Sequence, residues 1–252
     1  MKRLLLFALA LTTAGCFPIL SSISPSGGAC QDTAGFVGVR DRDTVVLEIT
    51  EMTRTRLRYF AYAQGRETVS NTSTDSALVP LWGNFSVWSV ADTAKPVEHG
   101  LYELDGDTVW YGTHRLERFD IQHTAVGRGA AILPTTTIAY EELMTRRARR
   151  TGKDSVDIPT FSLDRGGDTR MAHVRFIGTD SARMQFGDGD IAVELRIDSA
   201  GRILRAHYHD ATGRPVNVER VECGVAEGLI AERYRVYNAW FRADADRRKG
   251  EH

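Results

Sequence analysis

The sequence carries almost no net charge, few cysteines and no long hydrophobic run. Its 32 basic and 33 acidic residues give a formal net charge of -1, which argues against nucleic-acid binding because phosphate contacts need a clustered basic surface. The three cysteines form no Cys-x-x-Cys pair and have no histidine cluster around them, which argues against a zinc site. The apolar run at residues 4–11 is too short to cross ~30 Å of hydrocarbon as a helix.

Short catalytic and cofactor-binding motifs are missing as well. The chain has no Gly-x-Ser-x-Gly nucleophile elbow, no Walker-type phosphate loop and no dinucleotide-binding Gly-x-Gly-x-x-Gly sequence. We therefore expect no cofactor, and the sequence favours a protein that is not an enzyme. Catalytic residues can converge from distant strands, so a hydrolase with an unrecognised site stays an alternative.

The N-terminal residues have the layout of a secretory signal peptide. Residues 1–3 (MKR) are positively charged, residues 4–11 (LLLFALAL) are apolar, and residues 12–15 (TTAG) are small. The pattern predicts an exported protein with a signal peptide at residues 1–15. Residues 16–34, rich in Ser, Pro and Gly, are then expected to be a flexible tether.

Residues 13–16 (TAGC) resemble the lipobox of bacterial lipoproteins, although Thr13 stands where that family usually has an aliphatic residue. The resemblance implies cleavage before Cys16 and a lipid on its thiol, so that the membrane becomes a partner of the N-terminus. Phe17, which is not an aspartate, implies delivery to the periplasmic face of the outer membrane. Simple cleavage with a free periplasmic product is the alternative.

A lipid on Cys16 would leave Cys30 and Cys223 as an even pair in an oxidising compartment. We expect a disulfide between them, which would join the start of the globular body to its last strand. Two unpaired thiols are the alternative.

Alternating apolar and polar residues between turn signals predict an antiparallel sheet over residues 35–225. Asp105-Gly106-Asp107, for example, separates the runs 101–104 and 108–111, which is a strong hairpin signal. We expect a mainly β fold (β-rich α+β) of ten to twelve strands, arranged as one strongly curved sheet or half-barrel. A β-sandwich is the alternative.

Two segments have helical periodicity instead. A short helix is predicted near residues 137–150, where the adjacent Glu141 and Glu142 point about 100° apart, a poor geometry for a cooperating carboxylate pair. An amphipathic helix with a tail is predicted over residues 226–252. Its aromatic side would dock on the sheet or bind an envelope protein partner through Tyr234, Tyr237, Trp240 and Phe241.

Residues 130–164 and 198–222 resemble a group of uncharacterised exported bacterial proteins. These in turn are similar to the half-barrel carriers typified by the lipoprotein-localisation factor. The resemblance implies that the concave face of the sheet holds an acyl chain or another apolar ligand. The leading hypothesis is therefore an envelope lipoprotein that binds or shields a lipid, with an assembly factor and a hydrolase as alternatives.

Two groups of side chains are candidates for a site. The first group consists of aromatic residues in the first half of the chain: Trp82, Phe85, Trp88 and Trp110. Core packing is the default interpretation of these residues, and the alternative is that they line an apolar or carbohydrate-binding cavity. His207 and His209 project from the same face of a strand, a spacing that metal sites use, and the hydrolase alternative would place a carboxylate beside them. Arg205 shares that face and disfavours a cation, so they are weak metal candidates.

Overall fold

The computed structural model of the protein describes residues 33–63, 65–89, 97–115, 118–134, 137–163, 167–187, 192–210 and 212–229. All of them belong to one unit, Asp32–His252. Several predicted features lie outside the described residues: the signal peptide, Cys16, most of the tether, Cys30, and the aromatic residues Tyr234, Tyr237, Trp240 and Phe241.

Within the described residues, fifteen strands form one open, curved sheet, which confirms the mainly β prediction. The number exceeds the ten to twelve strands expected, and a single sheet rules out the β-sandwich. The strands are β1 (Thr33–Arg40), β2 (Asp43–Met52), β3 (Arg56–Ala63), β4 (Arg66–Thr74), β5 (Pro80–Ser89), β6 (Glu98–Asp105), β7 (Thr108–Arg115), β8 (Arg118–Ala125), β9 (Ala131–Leu133), β10 (Ser155–Ser162), β11 (Asp168–Phe176), β12 (Ser181–Phe186), β13 (Ala192–Ile197), β14 (Ile203–His209) and β15 (Pro215–Val221).

The sheet consists of two meanders that are joined by one pair of strands. Its order is β8-β7-β6-β5-β4-β3-β2-β1-β15-β14-β13-β12-β11-β10-β9, so β1 pairs with β15 at the centre. All neighbours are antiparallel except β9 and β10, which are parallel. The strands follow the period-two pattern: in β13 the buried Val193, Leu195 and Ile197 alternate with the exposed Glu194 and Arg196.

One helix, α1 (Ile138–Arg150), lies on the inner face of the sheet and connects β9 to β10. It contacts β2, β10, β11 and β14, and its apolar residues form the centre of the larger hydrophobic core. The helix ends at Arg150 with Thr151 as its C-cap, and Gly152 follows with a positive φ of 69°.

A second helical segment begins at Cys223 and packs on the opposite, outer face. Ala34 and Phe36 belong to the core around α1, so Gly35 between them faces outward. A Cβ added at Gly35 would lie 2.6 Å from the Cβ of Ala226, which is fully buried. The close approach of residues 223–229 to β1 therefore depends on the missing side chain of Gly35.

The two ends of the sheet curl towards each other. Edge strands β8 and β9 are joined by residues 126–130 alone, and a chain of that length spans at most ~20 Å. Across this gap the ring of Tyr111 on β7 lies 4.9 Å from the ring of Phe161 on β10. Val109 and Ile132 join Phe161 in a second hydrophobic cluster. The result is a curled sheet with α1 inside.

A buried hydrogen-bond chain links α1 to the sheet wall. The Thr72 hydroxyl on β4 lies 2.7 Å from the Tyr140 hydroxyl on α1 and 2.7 Å from the Tyr102 hydroxyl on β6. All three side chains are almost fully buried, so the chain satisfies polar groups that water does not reach. It fixes the orientation of α1 relative to β4 and β6.

Candidate ligand-binding site

Three glutamates are buried inside the curled sheet. Glu48 on β2 is 2% exposed, and Glu141 and Glu142 in the first turns of α1 are 5% and 2% exposed. A carboxylate taken out of water is costly unless hydrogen bonds or opposite charges compensate it. The three residues differ in the partners that they have.

Glu48 binds the start of α1. Its two carboxyl oxygens accept hydrogen bonds from the backbone N–H groups of Ile138, at 3.0 Å, and Ala139, at 3.1 Å. The first N–H groups of a helix have no partner within it, and Thr137 at the N-cap position makes no side-chain bond to them. Glu48 thus caps α1 from a neighbouring strand, and a carboxylate there also suits the helix dipole.

Glu142 is held by a partly buried ion pair. Its Oε2 accepts hydrogen bonds from the Arg220 guanidinium at 2.6 Å and from the backbone N–H of Ile203 at 2.9 Å. Arg220 also donates to the Ile203 carbonyl and lies over the ring of Phe36. Glu142 therefore anchors α1 to β14 and β15.

Glu141 has the least support of the three. Within the described residues its Oε2 is buried without a hydrogen-bond partner. Burial, followed by the nearby charge of Glu48, raises the pKa of Glu141 to about 8. Burial also raises the pKa of Glu48 to about 7, although its two backbone hydrogen bonds oppose the shift. Near neutral pH the pair therefore retains a proton, and a protonated carboxyl can donate as well as accept a hydrogen bond.

Two hydroxyls beside this pair are also unsatisfied. Thr50 lies two residues from Glu48 on the same face of β2, and Thr137 directly precedes α1. The Oγ1 atom of each is buried and has no partner in the described part of the chain. Buried polar groups are normally hydrogen-bonded, so leaving these atoms unsatisfied costs free energy.

Half-buried apolar side chains lie at the end of the curled sheet where β2 begins. Val45 lies at the start of β2, Phe186 at the end of β12 and Tyr208 near the end of β14, and all three pack against the core while still reaching solvent. Burial, then the charges of Glu141 and Glu48, raise the pKa of Tyr208, which places its hydroxyl near the carboxyls. We call Glu48, Thr50, Thr137, Glu141 and Tyr208 the inner site.

The inner site was missed by the sequence analysis. The available signal was a single charged residue, Glu48, within the apolar run 45–49. Among the residues that the structure describes, only Glu142 of the adjacent pair has an ion-pair partner, Arg220. The carboxyl that perturbs the pKa of Glu141 is that of Glu48, some 90 residues away in sequence, which local spacing does not reveal.

The four aromatic candidates do not line one cavity. Phe85 is 1% exposed and belongs to the core cluster near β7 and β10. Trp82 and Trp110 are 48% and 42% exposed on the outer face, and the half-buried Trp88 shares the outward side of β5 with Trp82. Because side chains alternate between the two faces of a strand, positions 82 and 88 face outward and position 85 faces the core.

His207 and His209 share an outward face, with their ring centroids 5.4 Å apart. The Nδ1 atom of His207 lies 2.8 Å from the side-chain oxygen of Asn217, and the nearby Asp210 pairs with Arg40 at 2.7 Å. Across the part of the chain that the structure describes, no group of three or more His, Cys, Asp or Glu residues is placed to hold a metal ion.

Cys223 is 4% exposed and forms a disulfide. Its expected partner, Cys30, lies outside the described residues, so the pairing stays a prediction. Among the helices that the described ranges contain, none is long and apolar enough to span a membrane.

No protein-family model matches the sequence, and no curated protein matches it. A distant structural neighbour is a DUF1089 family protein from Pseudomonas aeruginosa, known from a crystal structure. The two are 11% identical with a TM-score of 0.46, over 64% of this chain and 89% of that one. A similarity this distant neither assigns the chain to that family nor transfers a function.

The buried carboxyls predict that the folded protein loses stability as pH rises. Glu48 and Glu141 hold protons in the folded state up to about pH 7 and 8, whereas in the unfolded chain they ionise near 4.5. Between these values the folded state binds more protons, so the free energy of unfolding falls by up to ~1.4 kcal/mol per pH unit for each carboxyl. Urea unfolding at pH 5.5, 7 and 8.5 measures this slope.

Glu141→Gln is the matched variant for this measurement, because it keeps the shape and removes the ionisation. We expect it to flatten the slope and to be more stable than the wild type at pH 8.5. Equal slopes for the two proteins, or a stability that rises with pH, would contradict the assignment.

Proposed function

We propose that the protein binds an amphiphilic ligand at the inner site. The apolar part of the ligand would lie against Val45, Phe186 and Tyr208, and its polar head would bond to Glu48 and Glu141. The observation that carries the proposal is the buried, unpaired Oε2 of Glu141, close to the half-buried Tyr208.

The unpaired carboxyl of Glu141 carries a free-energy cost that a ligand could remove. A buried acceptor left without a hydrogen bond costs roughly 1–3 kcal/mol. A ligand head that donates hydrogen bonds, such as an ammonium or a hydroxyl group, would recover that free energy on binding. An anionic head would instead be repelled by the negative charge that the pair acquires as Glu48 ionises. The proposal therefore favours ligands whose acyl or alkyl chain ends in a donor.

The proposal also fits a non-enzymatic role in the cell envelope. The lipobox-like residues 13–16 favour export and a lipid on Cys16, with the curled sheet held at the periplasmic face of the outer membrane. The alternative of an assembly factor rests on the aromatic residues after position 230, outside the described residues. The hydrolase alternative is weakened because His207 bonds to Asn217 and Asp210 to Arg40.

Binding can be tested with three twelve-carbon probes that differ only in the head: dodecylamine, dodecanol and dodecanoate, titrated by calorimetry below the concentration at which each aggregates or separates from water. We expect the amine and the alcohol to bind with about micromolar Kd and dodecanoate to bind at least ~10-fold more weakly. Val45→Arg, which places a charge on the apolar wall, should weaken all binding by ~10-fold or more.

The control for that titration is Ile177→Arg, because Ile177 is 58% exposed and lies in a turn at the opposite end of the curled sheet. It should bind like the wild type. Failure of all three probes to bind, or an unchanged affinity of Val45→Arg, would reject the inner site as a ligand site.

The proposed anchoring is tested separately by the denatured mass of protein extracted from membranes. We expect loss of residues 1–15 and an added mass of acyl chains, both abolished in Cys16→Ser. Cleavage without acylation would support the free periplasmic product, and an intact N-terminus in the mature protein would contradict export.

A further inference from the structure

We propose that the outer face of β5–β8 is a binding surface for neutral oligosaccharides, centred on Trp82 and Trp110. This surface is separate from the inner site and does not depend on the ligand proposed there. Strand register brings the two residues together, which the sequence alone does not reveal.

Register places four outward side chains in one row across the sheet. Trp82 on β5 pairs with Glu103 on β6, Glu103 pairs with Trp110 on β7, and Trp110 pairs with His123 on β8. Side chains of directly paired residues lie on the same face. We call Trp82, Glu103, Trp110 and His123 the aromatic row.

The row is open to solvent. Trp82 and Trp110 are 48% and 42% exposed, and Ile121 in the adjoining row is 47% exposed. A single exposed apolar side chain needs no explanation, but two indoles and an isoleucine on neighbouring strands form a patch of the kind that marks a binding surface.

The sheet sets the spacing of the row, and His123 holds the ring of Trp110. Because neighbouring strands lie ~4.8 Å apart, the two indoles on alternate strands are ~10 Å apart. The Trp110 ring stacks on His123, with centroids 4.8 Å apart and planes 27° from parallel. In the adjoining row Gly112 lies between Leu101 and Ile121, and because it has no side chain nothing projects from the sheet at this position. A ring held in place this way loses little freedom on binding.

The charged and polar side chains of this surface limit the class of ligand that it can bind. Glu103 sits between the two indoles, and the exposed Asn84 lies in the adjoining row beside Leu101. The centre of a protein interface is depleted of charged residues, so a carboxylate at this position disfavours a protein partner. An anionic membrane surface needs lysine or arginine, which the row does not contain.

A sugar chain matches these features. Each pyranose ring has an apolar C–H face that can lie on an indole and a rim of hydroxyl groups that can bond to a carboxylate and an amide. Two indoles ~10 Å apart can contact two rings of one chain, while Glu103 and Asn84 accept or donate hydrogen bonds along its edge. An uncharged chain is favoured, because an acidic glycan would meet Glu103.

The test is a titration of the full chain with cellotetraose and with chitotetraose, followed by tryptophan fluorescence and calorimetry. We expect saturable binding of at least one tetrasaccharide. Trp82→Ala and Trp110→Ala should each weaken it by ~10-fold or more, since each removes one stacking contact. Both residues are exposed, so the variants should keep the circular dichroism and Tm of the wild type.

Two controls separate this surface from the rest of the molecule. Leu204→Ala removes an equally exposed apolar side chain on β14 and should bind the sugar like the wild type. Val45→Arg, which tests the inner site, should also leave sugar binding unchanged.

Three results would overturn the proposal: no binding of either tetrasaccharide, unchanged affinity of the folded tryptophan variants, or a wild-type dimer that Trp110→Ala converts to a monomer. The last result would assign the patch to contact between copies of the chain.

Discussion

The helix α1 begins inside the curled sheet, where its first N–H groups have little access to water, and the carboxyl group of Glu48 accepts hydrogen bonds from two of them. A helix end buried without partners would be strongly destabilising. This contact fixes the depth of α1, while Arg220 and Ile203 hold its next residues through Glu142. The sheet can then wrap around the helix until Tyr111 and Phe161 meet at its two ends.

Placing Glu48 at the helix start has a consequence for Glu141. With the Glu48 carboxyl occupied by backbone N–H groups and Glu142 occupied by Arg220, Glu141 is left next to a like charge without a hydrogen bond at Oε2. The fold thus leaves unsatisfied polar atoms around the start of α1, and the half-buried Tyr208 lies near Glu48 and Glu141. Unsatisfied polar atoms next to half-buried apolar side chains are the physical basis of the proposed ligand site.

Local patterns predicted much of the fold. The helix expected near residues 137–150 is α1, and the turn at Asp105-Gly106-Asp107 joins β6 to β7 as the hairpin signal indicated. The number of strands was underestimated, and β9, for example, has three residues, too few for a period to be recognised. Pairing between β1 and β15, and between β9 and β10, joins segments that only the complete chain brings together.

The candidate sites depended on long-range information of the same kind. Exposure of Trp82 and burial of Phe85 follow from strand alternation, but the alignment of Trp82 with Trp110 required the register of three strands.

The most direct measurement of the central claim is a 13C NMR titration of the glutamate side-chain carboxyls, assigned with Glu48→Gln and Glu141→Gln. The account predicts that these two groups titrate near pH 7 and 8. Titration of both near the ordinary value of about 4.3 would contradict it.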